Sequence, residues 1–118
     1  MPDDTLAVLK GTLDFLALRT LAGGQEMHGF QILDFIHRST AQALQVEEGA
    51  LYPALHRMEK RGWLTARWDV SEKGRRAKYY RLTPQGTRAL AEEEDRWARY
   101  VDAVRQLAPV AGSGKGGA

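Results

Sequence analysis

Gly49-Ala50-Leu51-Tyr52-Pro53-Ala54-Leu55-His56-Arg57-Met58-Glu59-Lys60-Arg61-Gly62 is the stretch from which the rest of this chain can be read. Leu51, Leu55 and Met58 recur at i, i+4 and i+7, the stripe of an amphipathic helix running from about Glu48 to Arg61. Pro53 falls in its opening turns, where a missing amide costs least; deeper inside it would cost about 3 kcal/mol. Gly62 supplies the C-terminal stop. The stripe leaves Tyr52, His56 and Arg57 on other faces, with Lys60 and Arg61 near the end. Immediately downstream, Trp63 to Asp69 alternates. Leu64, Ala66 and Trp68 fall on one side, and Thr65, Arg67 and Asp69 on the other. A polar connection, Glu72-Lys73-Gly74-Arg75-Arg76, leads into a returning strand, Ala77 to Leu82. It is too long for a two-residue turn.

Charge follows the same boundaries. The 118 residues carry a formal net charge of only +2, but Arg57 to Arg81 holds nine basic and three acidic residues, a net of +6, which leaves −4 on the remainder. A cationic helix and hairpin on a weakly acidic body form a footprint for a polyanion. A helix followed by a ribbon with a basic tip is the arrangement of a winged helix-turn-helix, whose helix enters a major groove while the ribbon meets neighbouring backbone. The expected fold is therefore mainly α with a small β-hairpin: a winged helix-turn-helix over residues 1–83, a long C-terminal dimerisation helix over 84–108, and a disordered tail over 109–118.

The flanking segments are read in the same way. Leu6, Leu9, Leu13, Leu16 and Ala17 predict a first helix from Leu6 to Ala22, capped by Asp3, Asp4 or Thr5 and stopped by Gly23-Gly24. A second helix is expected from about His28 to Thr40, burying Phe30, Leu33 and Ile36 or the nearby Ile32 and Phe35. Gly29 near its start implies a close backbone approach. Leu44 to Glu48 forms the turn into the central helix, with Glu47 and Glu48 at the positive end of its dipole. Thr83 and Pro84 are N-cap and first residue of a last helix reaching about Leu107. Leu90, Trp97, Val101 and Val104 share one seam of that helix. A small body cannot cover such a seam, so an identical subunit is expected to.

Other chemistries find little support. There are no cysteines, and His28, His37 and His56 are spaced so that no two share a helical face, so no metal is expected. Ser39, Ser71 and Ser113 lie in no nucleophile motif, and Gly112 to Gly117 lacks the strand and helix of a phosphate loop. No catalytic residue, enzyme activity or cofactor is expected. No apolar run approaches the roughly 20 residues of a membrane span, and the N-terminus is acidic, so the expected location is cytoplasmic with no membrane partner.

Three motifs carry a family resemblance. Gly49 to Leu55 with Arg57-Met58-Glu59 and Gly62-Trp63-Leu64 closely resembles the PadR family of bacterial transcriptional regulators. Lys78-Tyr79-Tyr80-Arg81-Leu82-Thr83 followed by Gly86 is similar to its second signature, and His28-Gly29-Phe30 with Ile32 to a third, Phe30 standing where tyrosine is common. The single C-terminal helix resembles the smaller subgroup. The resemblance implies a homodimer joined through its last and first helices. Its recognition helices, roughly 34 Å apart, would read a palindromic operator in double-stranded DNA. The function expected is that of a sequence-specific DNA-binding repressor, with a small-molecule effector at the dimer interface. The rival is a winged-helix protein-interaction module that does not bind DNA; the lysine and arginine of the tip speak against it, because protein interfaces are depleted in lysine.

DNA contacts are expected from Gln45, Glu48, Gly49 and Ala50 at the start of the recognition helix, and from Tyr52, which the family places at the DNA face. Arg57 and Lys60 are expected as phosphate ligands, and Lys73, Arg75, Arg76 and Lys78 as wing contacts. Leu9, Leu13, Leu90, Trp97, Val101 and Val104 are expected at the dimer interface. Trp97 falls where multidrug-binding relatives stack a planar aromatic molecule. Leu16, Val101 and Asp102 would then line the site, although tryptophan also simply packs at interfaces.

Overall fold

The apolar stripe of the central helix forms the centre of the core: Leu51, Leu55 and Met58 are fully buried, joined by Leu18, Leu21 and Ile32. A computed structural model describes residues 6–9 and 11–107; the expected caps at Asp3 to Thr5 and the tail from Pro109 lie outside the described residues. In chain order the elements are β1 (Leu6–Ala7), α1 (Leu13–Thr20), β2 (Met27–His28), α2 (Gly29–Ser39), β3 (Leu44–Gln45), α3 (Glu48–Lys60), β4 (Leu64–Val70), β5 (Arg76–Leu82) and α4 (Pro84–Gln106). Helices α1, α2 and α3 pack on one another, and β5 lies between β2 and β4 in an antiparallel sheet against them. This is the expected winged arrangement with one long C-terminal helix.

The helix boundaries rest on local chemistry. His28 caps α2: its Nδ1 accepts from the Gln31 amide at 3.3 Å, while Gln31 Oε1 accepts from the His28 amide at 3.0 Å. His37 Nε2 accepts from the Val46 amide at 3.0 Å and fixes the turn into α3. Thr83 caps α4 as expected, accepting from the Gly86 amide at 3.0 Å and donating to the Gly62 carbonyl at 2.6 Å, which ties α4 to the end of α3. Gly86 packs so tightly on the Trp63 carbonyl that a side chain there would collide with backbone. At about 1.5 Å per residue, the 23 residues of α4 extend roughly 34 Å.

Four expectations are corrected. The first helix begins at Leu13, not Leu6, because Gly11 turns the chain at φ +86° and Thr12 closes a turn onto the Leu9 carbonyl. Leu6 and Ala7 instead pair in parallel with Leu44 and Gln45. Phe30 and Phe35 are exposed, and α2 buries Ile32 and Ile36. Two residues, Met27 and His28, add a third strand that the sequence reading lacked, in register with Tyr80 and Tyr79. Finally, Leu90 is buried against its own chain's core and so is not available to a partner.

Candidate nucleic-acid interface

Helix α3 turns one face inward and presents the other to solvent, with Glu48, Gly49, Ala50, Tyr52, His56 and Lys60 exposed on it. Tyr52 is 41% exposed and rests on the start of α2. A Cβ at Gly29 would lie 2.7 Å from its ring carbon Cζ, so any side chain there would displace the Tyr52 ring. That contact is the close approach expected of Gly29, and it links two of the three motifs physically. Burial and the nearby Glu48 carboxylate push the Tyr52 phenol above its ordinary pKa, so near neutral pH it is a proton-bearing donor. Gln45 is exposed, but its amide donates to the Gln42 carbonyl at 3.0 Å, within a turn where Ala41 and Gln42 both take positive φ.

The wing has two chemically different faces. On the outer face, Arg67 forks onto Glu26 at 2.8 Å and 3.0 Å and reaches Asp69 at 2.7 Å, and Arg81 lies 4.0 Å from Glu26. The Arg67 hydrogen bond holds the Glu26 and Asp69 carboxyls below their usual range, the Val70 amide adding to the effect on Asp69. On the inner face, β4 and β5 place Leu64, Ala66 and Trp68 opposite Leu82, Tyr80 and Lys78. The base of that face packs on the helices. Its far end runs past them, leaving Trp68 54% exposed.

Lys78, expected as a DNA contact, is engaged within the chain. Its Nζ lies 2.8 Å from Glu59 Oε1, an oxygen shielded from solvent, so it clasps the wing to α3. That carboxylate raises the pKa of Lys78, which keeps its charge at neutral pH. Arg57 is likewise drawn to α1, 2.9 Å from Asp14. Arg61 stacks over Trp63, its guanidinium carbon 5.0 Å from the ring centre. In contrast, Lys73, Arg75, Arg76 and Lys60 have no carboxylate within ion-pair distance among the described residues. Arg76 stacks over Trp68 at 4.6 Å, and Lys73 lies 5.6 Å from the centre of Phe30. Phe30, Tyr52, Trp68, Lys73, Arg75 and Arg76 line a groove of about 510 Å³ between the wing and the start of α2. Sequence reasoning had found the cations but missed Phe30 and Trp68, which it had placed in the core or left among strand residues.

At the opposite end, α4 carries an exposed apolar stripe of Trp97, Tyr100 and Val104, with Leu9 nearby; Val101 and Leu13 are half-buried. Trp97 stacks on Tyr100 at 5.9 Å and tilts against Phe15 at 6.4 Å. Hollows of about 580 and 460 Å³ flank it. Leu16 lines the first together with Val8, Phe15 and Leu44; Val101 lines neither. Phe15 and Tyr100 were not anticipated, although Tyr100 stands one helical turn from Trp97.

Residues 18–92 match the Transcriptional regulator PadR-like family. The chain belongs to this PadR-like family. A PadR family transcriptional regulator from Eggerthella lenta is 32% identical, covering 83% of this chain and 82% of its own, with a TM-score of 0.71. Transcriptional regulator Rv3488 of Mycobacterium tuberculosis is 38% identical over 72 residues, 61% of this chain and 64% of that protein. The structure of Bacillus subtilis PadR in complex with operator DNA shares the fold, with a TM-score of 0.62 at 21% identity, over 81% of this chain and 62% of its own. These relatives are transcriptional regulators, not enzymes. No helix among the described residues is long and apolar enough to cross a membrane.

Proposed function

We propose that this PadR-like regulator binds a palindromic operator in duplex DNA as a homodimer and represses transcription by occupying a promoter. The observation that carries the reading is the wing tip, where Lys73, Arg75 and Arg76 meet no carboxylate among the described residues and stand beside the exposed face of α3. Cations left unpaired within a chain are available to phosphates, and each phosphate neutralised releases condensed counterions. The recognition helix supplies Tyr52 and the small residues Gly49 and Ala50, which permit close approach to a groove. A neighbour of the same fold is described in complex with operator DNA, which supports duplex DNA as the partner.

Support for the dimer comes from the other end. A stripe containing Trp97, Tyr100 and Val104 is exposed, and it continues onto Leu9 and Phe15 of the body, an apolar surface of the kind a partner subunit covers. Pairing through α4 sets two wings at a fixed separation. A planar aromatic effector stacked on Trp97 in the flanking hollows would change that separation and shift the population away from the operator-competent spacing.

The test is fluorescence anisotropy of the purified protein with duplex DNA from upstream of its own gene, across a salt series, together with light scattering. The expected outcome is two protomers per duplex and an affinity that falls steeply with salt. A monomer in scattering that fails to retain the duplex even without added salt would overturn the reading.

A further inference from the structure

We infer that Trp68 is a positioning residue of the wing, holding Arg76 in the orientation in which its guanidinium meets a DNA phosphate; the inference rests on the DNA-binding reading above. Trp68 shares the inner face of the hairpin with Leu64 and Ala66, but it lies beyond the point where the helices cover that face. More than half of its surface is in solvent, so core packing does not account for an indole there. Its cross-strand partner is Lys78, and Arg76 is the diagonal neighbour two residues along β5, on the same face. The Arg76 guanidinium lies 4.6 Å from the Trp68 ring centre, and the Lys78 ammonium 5.9 Å.

Arg76 and Arg67 illustrate two ways to fix a guanidinium. Arg67 is held by carboxylates, which neutralise it as they orient it. Arg76 is held by a ring face, which restricts its rotamers without neutralising it, and among the described residues no carboxylate meets its guanidinium. Only the second arrangement leaves an arginine both ordered and free to engage an anion. Stacking removes in advance part of the entropy loss that a phosphate contact would otherwise impose. Lys78 cannot fill this role, because Glu59 already holds it.

The experiment is a double-mutant cycle on the full chain, Trp68→Ala and Arg76→Ala singly and together, read as affinity for the upstream duplex and as its salt dependence. Trp68→Phe serves as the conservative variant. Trp68→Ala is expected to weaken binding about three- to tenfold in the presence of Arg76, and by less than about twofold in the Arg76→Ala background. Trp68→Phe should restore most of the affinity. In the free protein, the Arg76 side-chain protons should show an upfield ring-current shift by NMR that disappears in Trp68→Ala and persists in Trp68→Phe. Additive losses would mean that Trp68 touches DNA itself or only supports the fold, and would overturn the assignment while leaving DNA binding intact. Unshifted Arg76 protons in the wild type would overturn it too. A wild type that binds no duplex at low salt would reject the DNA reading and this inference with it.

Discussion

On the outer face of the wing, Arg67 and Arg81 are drawn onto Glu26 and Asp69, whereas at the tip and along the inner face Lys73, Arg75 and Arg76 meet rings or solvent and, among the described residues, no carboxylate. The two sets lie within a few residues of one another, and residue for residue they count alike in a sum of charge. They differ in what they can still do. Of the nine basic residues between Arg57 and Arg81, four (Arg57, Arg67, Lys78 and Arg81) are within ion-pair distance of carboxylates among the described residues. A patch of net +6 read linearly is therefore, in three dimensions, a neutralised buttress next to a smaller cationic point. The buttress ties the hairpin to Glu26, and on the proposed reading the point is what a polyanion would meet.

The sharpest way to break this comparison is to remove equal charge from each side. Arg75→Ala with Arg76→Ala should weaken DNA binding about tenfold or more, uniformly across sequences, and flatten the slope of log affinity against log salt by about two units. Arg67→Ala with Arg81→Ala removes the same formal charge, but its slope should change by less than about one unit, since those cations are already neutralised. Equal slopes for the two double variants would erase the distinction.

Lys78→Met sharpens the comparison by asking to which set Lys78 belongs. The substitution leaves the shielded Glu59 Oε1 without its cation, so thermal unfolding should reveal a loss of about 1–3 kcal/mol, largely recovered when Glu59→Gln is added. The salt slope of DNA binding should stay that of the wild type. A reduction by about one unit would return Lys78 to the contact surface.

The smallest effect concerns pH. The outer-face carboxyls have folded-state pKa values lowered by Arg67, so their stabilisation is fully present above the ordinary carboxylate range of about 4 to 4.5. It is lost as pH falls through the lower folded values. Arg67 side-chain NMR signals should therefore lose their dispersion on acidification below about pH 4, while the Arg76 ring-current shift, which involves no titrating partner, outlasts them. Simultaneous loss of both would show that the two faces are not independent.

Much of the framework was legible from spacing. The stripe Leu51, Leu55 and Met58, the Thr83-Pro84 cap and the close approach at Gly29 were all read correctly, because helix periodicity and capping are properties of neighbouring residues. The first helix was misread because Leu6, Leu9 and Leu13 happen to repeat at helical spacing across a glycine turn. A two-residue strand such as Met27-His28 offers no periodicity to detect. Trp68 was placed on the correct face of its strand. Alternation cannot say where along that face the covering helices end.

What the amino-acid order determined by itself was the succession of helices, the hairpin, their caps and the segment in which positive charge accumulates, since each depends on contacts a few residues apart. Only the folded chain decided which of those charges remain available. Glu26 stands 41 residues before Arg67 and Asp14 stands 43 before Arg57, so their neutralisation arises from packing that brings distant segments within hydrogen-bonding range. Coulomb attraction falls off over a few ångströms near a surface in water, so position in space, not position in the chain, assigns each cation its partner.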